Sequence, residues 1–125
     1  MPKRKPGKPR WHDDVEEHNY PAARPYLGLI YPPGKVRTLV AKLRSAKLTR
    51  FMAKDIFRAS ALPLLGVSSS RFAQDRKKIA GGKSLSPILL VRDERNGKVV
   101  VADGYHRLCA VYSYDEEAWI PCKIV

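Results

Sequence analysis

Apolar residues recur along this chain in two rhythms. Val36, Leu39, Val40 and Leu43 fall at helical spacing, with Lys35, Arg37, Lys42 and Arg44 on the remaining faces, which predicts a helix over about residues 34–46. Pro87-Ile88-Leu89-Leu90-Val91 is instead a continuous apolar run between turn residues, the pattern of a strand buried on both faces. Asn96-Gly97 separates it from Lys98-Val99-Val100-Val101 and predicts an antiparallel hairpin. Leu108, Val111 and Tyr112 predict a helix from Gly104 to about Tyr114. Residues 119–125 read as a final strand, in which Pro121 points to a sheet edge or a strand end.

Other stretches are less regular. Thr49 to Phe57 reads either as a strand leading to a turn at Asp55 or as another helix. Ser68, Ser69 and Ser70 are N-cap candidates for a helix over roughly 70–80, which Gly81-Gly82 would end. Prolines at 2, 6, 9, 21 and 25 oppose regular structure, so residues 1–25 are expected to be a poorly ordered tail. Tyr26 to Tyr31 is a short apolar segment stopped by Pro32-Pro33-Gly34. The fold class that follows is α+β: one domain with a small mixed sheet and flanking helices.

Composition bounds the function. The chain has 125 residues, enough for one domain with a core. It contains no run of 18 apolar residues, so no membrane span is expected, and its basic start lacks the apolar stretch of a secretory signal. Cys109 and Cys122 show no metal-ligand spacing; they are read as core residues of a protein in the reducing cytoplasm. The net charge of +12 is uneven: residues 18–54 carry eight basic side chains and no acidic one. Lys35, Arg37, Lys42, Arg44 and Lys47 are therefore the candidates for contact with DNA or RNA, and a solvated helix face is the bland alternative.

The densest candidate chemistry lies at Asp103-Gly104-Tyr105-His106-Arg107, between the Val99 run and a helix start. Free N–H groups and the positive dipole end of a helix suit a phosphate. Gly104 is expected to let the backbone approach it, while His106 and Arg107 neutralise its oxygens. Asp103 is the candidate to carry Mg²⁺ through water or to bond a hydroxyl. Asp55, the only carboxylate between residues 18 and 74, is a weaker candidate for a base or a second metal contact, and His106 is a further weak catalytic candidate; Ser69 and Ser70 are candidates for further contacts to the same anion.

The order of these signatures resembles the ParB/sulfiredoxin superfamily. A Pro-Ile-hydrophobic strand at Pro87, a Gly-x-His-Arg motif at Gly104 and an Ile-Pro strand at Ile120-Pro121 occur in the sequence that family uses, across residues 49–125. On that resemblance residues 1–25 are a tail, 26–48 a basic helical extension and 49–125 the domain. Tyr105 stands where sulfiredoxins carry their catalytic cysteine, which argues against thiol repair. Tyr105 and His106 replace two residues of the Gly-Glu-Arg-Arg motif of CTP-binding ParB proteins. Asp103, Gly104, His106 and Arg107 match the Asp-Gly-x-His-Arg form of the superfamily's free-serine kinases, but their early Pro-His-Glu base has no counterpart.

The resemblance implies a nucleotide-binding domain taking ATP, ADP or CTP with Mg²⁺, in the role of an NTP hydrolase or phosphotransferase. The alternatives are a nucleic-acid-binding accessory protein acting through the basic N-terminal half, and a protein-interaction module whose nucleotide site has decayed.

Overall fold

The computed structural model describes residues 9–63 and 70–125. Along the chain run β1 (Arg10–Trp11), α1 (Asn19–Ile30), α2 (Pro33–Ser45), β2 (Thr49–Met52), α3 (Ala53–Ser60), α4 (Ser70–Ala80), β3 (Ser84–Leu85), β4 (Ile88–Asp93), β5 (Lys98–Asp103), α5 (Tyr105–Tyr114) and β6 (Trp119–Ile124). Four strands form a mixed sheet in the order β2-β6-β4-β5, with β6 parallel to β4 and the other pairs antiparallel. β1 and β3 form a separate parallel pair. The α+β class expected from the sequence is the class observed.

The sheet divides the core in two because strand side chains alternate faces. Ile88 and Leu90 of β4, Val101 of β5, and Ile120 and Cys122 of β6 pack with α3, α4 and α5. Leu89, Val91 and Ala102 face the other way, onto Tyr20, Ala23 and Leu27 of α1 and Val36, Leu39, Val40 and Leu43 of α2. The unbroken apolar run of β4 thus serves two layers. Both cysteines are buried, and burial pushes the Cys122 thiol up to about 12, so it is not a nucleophile at neutral pH.

Three expectations are corrected. Residues 1–25 do not form a tail throughout: β1 and the first half of α1 lie there, and Val15, Asn19, Tyr20 and Ala23 are buried. Pro21 sits in the first turn of α1, where no N–H is required. Pro25 is internal, but both prolines lie on the exposed face, where water can satisfy the freed carbonyl. Nor is 26–48 an extension outside the domain, since α1 and α2 cover one whole face of the sheet. Finally, β6 is an interior strand, not an edge. Its pairing with β4 begins at Cys122, one residue after Pro121, so the missing N–H falls before that ladder starts.

The open choice over residues 49–57 resolves as both readings in turn, strand β2 followed directly by helix α3. The hairpin at Asn96-Gly97 is present with a longer loop than a two-residue turn. A 3₁₀ turn spans Glu94–Asn96, and Asn96 Nδ2 donates to Asp93 Oδ2 at 2.8 Å.

Candidate functional site

Asp103 ends β5, Gly104 turns the chain, and Tyr105 to Arg107 form the first turn of α5. Gly104 has φ +105°, and a Cβ there would lie against Ile88 Cγ2 and within 2.8 Å of Ile88 Cβ and Arg107 Nη2. Glycine is therefore required here by packing, since it lets β4 and α5 meet closely. No side chain caps α5, so its first-turn N–H groups are left for solvent or a ligand.

Arg107 Nη2 donates to Asp103 Oδ2 at 2.9 Å, and the two side chains are only 16% and 17% exposed. This pair fixes the guanidinium in orientation. Arg107 Nε is buried and has no partner among the described residues.

The motif opens into a polar cleft of about 360 Å³, within the range of small-molecule sites. Helix α4 supplies Arg71, Gln74, Asp75 and Lys78, spaced to share one helical face. The segment around the start of α1 supplies Glu16, His18 and Asn19, and β3 with its following residue supplies Ser84 and Ser86. The β1–β3 pairing brings the last two groups together: His12 N–H donates to the Leu85 carbonyl at 2.8 Å, and Glu16 N–H to Ser86 Oγ at 3.0 Å. Ser86 Oγ donates in turn to the buried Asn19 Oδ1 at 2.5 Å.

Electrostatically the cleft is mixed. Arg71, Lys78 and Arg107 face Glu16, Asp75 and Asp103, with His18 and His106 between the classes. Asp103 is committed to Arg107, and Glu16 lies 3.5 Å from His12 and 4.0 Å from His18. Burial raises the Asp75 carboxyl above its ordinary pKa, against the lowering pull of Arg107, Lys78, His106 and Arg71.

Of the residues singled out in the sequence, Asp103, Gly104, His106 and Arg107 come together in this cleft. Tyr105 does not line it. Its ring packs on the core beside α4 and α5, and its hydroxyl donates to the Pro63 carbonyl. Burial, then Cys109, pushes that hydroxyl's pKa up. Asp55 is exposed and lines a different, apolar groove with Phe51, Ile56 and Val99, so it is not a base for this cleft. Ser68 and Ser69 lie outside the described residues, and Ser70 begins α4.

Lys35, Arg37, Lys42, Arg44 and Lys47 are exposed on α2 and just beyond it. Arg44 is engaged by Glu17 and by the Tyr20 ring, 4.6 Å from its centroid, and the Lys35 ammonium lies 4.9 Å from the Tyr31 ring centroid, which leaves Arg37, Lys42 and Lys47 outside these contacts. Arg71, Lys78, Glu16 and His18 were not anticipated as site residues. The polar spacing of Arg71, Gln74, Asp75 and Lys78 was the available signal for the α4 face.

Among the described residues, no three His, Cys, Asp or Glu side chains converge as a metal cage, and no helix is long and apolar enough to cross a membrane. No protein-family model matches this chain, and neither a curated protein nor a solved structure does.

Proposed function

We propose that this chain is a ParB/sulfiredoxin-like domain that binds a nucleotide by its phosphates in the cleft between α4 and the start of α5. The observation that carries the reading is Arg107. Asp103 orients its guanidinium beside the uncapped first turn of α5, where Arg107 lines the cleft. A phosphate oxygen is an acceptor of the right charge, and oriented Arg forks suit phosphate geometry. Arg71 and Lys78 neutralise the outer phosphates from the facing helix, and His106 contributes from the same turn as Arg107.

Mg²⁺ bound to a nucleotide takes most of its ligands from phosphate and water, so one or two protein carboxylates suffice. Asp103 is the carboxylate for that part, since it lines the cleft and its hydrogen bond with Arg107 uses Oδ2. The ion would supply charge neutralisation for the phosphates.

Thermal unfolding with ATP, ADP, CTP and inorganic phosphate, each with and without Mg²⁺, tests the reading. A saturable rise in Tm with at least one nucleotide is expected. No rise with any of them contradicts it.

A second reading concerns α2. Its outer face presents Lys35, Arg37 and Lys42 with no acidic neighbour on the helix, and Lys47 follows it. We infer that this face contacts nucleic acid phosphates, with affinity that falls steeply as salt rises.

A further inference from the structure

Away from the phosphate cleft, a second concavity of about 580 Å³ is walled by Trp11, Tyr114 and Trp119, with Pro9, Asp115 and Glu117 also lining it. Trp119 is 50% exposed. The two carboxylates belong to the run Asp115-Glu116-Glu117, a local reversal of sign in a chain of net charge +12.

Aromatic faces carry the negative part of a ring quadrupole and attract cations, more strongly when carboxylates stand beside them. Trp119 already shows this within the molecule: the Arg50 guanidinium carbon lies 5.2 Å from its ring centroid. Glu117 is held only loosely. Lys54 Nζ is 3.7 Å from its Oε2, with the two side chains 41% and 67% exposed, and such a pair is exchanged at little cost. Asp115 Oδ1 accepts the Glu117 N–H at 3.0 Å, which orders the turn.

The cleft exceeds one side chain in size, and aromatic-walled grooves suit extended proline-containing segments whose shape is already set. We propose that it binds an extended basic peptide, seating a Lys or Arg side chain between the rings and the carboxylates with proline packed alongside. Charge complementarity selects this occupant, and the inference is independent of the phosphate reading.

The chain holds two tryptophans, and both line this cleft, so tryptophan fluorescence, excited selectively over tyrosine, reports on it. The full chain is titrated with a synthetic peptide of alternating proline and arginine, and with the same peptide carrying neutral citrulline. Saturable change in emission with the arginine peptide is expected, and affinity roughly tenfold lower for citrulline. The combined variant Asp115→Asn, Glu117→Gln keeps Oδ1 as an acceptor and is expected to lose a similar factor, with its circular dichroism unchanged.

Equal binding of both peptides, or no saturable change, overturns the proposal, and neither result depends on the variant folding. Binding that appears only after Lys3, Arg4, Lys5 and Lys8 are replaced by Ser would assign the cleft to the chain's own first residues. It would overturn the external peptide as ligand.

Discussion

Lys123 Nζ donates to the Tyr20 hydroxyl at 2.9 Å, joining residues 103 apart in sequence. The ammonium also donates to the Arg44 carbonyl at 2.9 Å and lies 3.6 Å from Asp14 Oδ1, while its side chain is only 6% exposed. A buried charge is tolerable when hydrogen bonds replace its water. Here they tie the interior strand β6 to the start of α1 and the end of α2, holding in place the layer that carries Glu16, His18 and Asn19 into the cleft between α4 and the start of α5.

Tyr20→Phe removes one of these acceptors. Its cost is expected to be about 1–2 kcal/mol, since hydrogen bonds to charged groups are worth more than neutral ones. Urea unfolding measures it through the midpoint at constant m-value. An unchanged midpoint would show that the bond does not anchor α1.

Gly104→Ala combines a left-handed φ with a Cβ pressed against Ile88. Strain and overpacking together are expected to destabilise by about 2–4 kcal/mol. The two terms separate in a double-mutant cycle. In an Ile88→Ala background the glycine substitution is expected to cost about 1 kcal/mol less, because Cγ2 is gone while the φ penalty remains. Strict additivity would remove Ile88 from the explanation.

Helix α2, the two-faced strand β4, the hairpin and helix α5 were legible in the sequence because each is governed by local periodicity. Helix α1 was not. Pro21 and Pro25 counted against it, although one falls in the first turn and both face solvent. The site divides the same way. Asp103 to Arg107 is contiguous and visible as a motif. Glu16 reaches the cleft through a hydrogen bond to Ser86, 70 residues away, and nothing local announces that pairing. Tyr105 shares the motif but packs against the edge of the core instead of lining the cleft, because successive helical residues face different directions.

Asp75 gives the cleft a pH dependence. A carboxyl whose folded pKa is raised binds its proton more tightly in the native state. Stability therefore falls as pH rises from the unfolded pKa through the folded one, and the loss persists above that window. Asp75→Asn is expected to raise Tm at neutral pH and to flatten the pH profile on the mildly acidic side. A phosphate placed beside Asp75 raises its pKa further, so nucleotide affinity is expected to grow as pH falls in the wild type and to do so less in the variant. Parallel profiles for the two proteins would exclude Asp75 from the site.

The charge of α2 is testable apart from the cleft. Lys35→Glu, Arg37→Glu and Lys42→Glu together are expected to lower affinity for duplex DNA or RNA by at least tenfold at low salt and to reduce the salt slope. Nucleotide binding should be untouched. Fluorescence anisotropy at several salt concentrations reads both quantities. Equal affinity and slope in the triple variant would refute a nucleic-acid role for this face.

The central claim is a phosphate grip at the start of α5, supported from α4. Isothermal titration of the full chain with the nucleotide giving the largest thermal shift, in the presence of Mg²⁺, tests it most directly when repeated on Arg71→Gln, Lys78→Gln and Arg107→Lys. Arg71 and Lys78 are exposed, so their loss should leave the fold intact. The account predicts stoichiometric binding by the wild type, about five- to tenfold weaker binding in each α4 variant, and a larger loss in Arg107→Lys, where the oriented fork is gone. No heat of binding in the wild type, or wild-type affinity in all three variants, would contradict it.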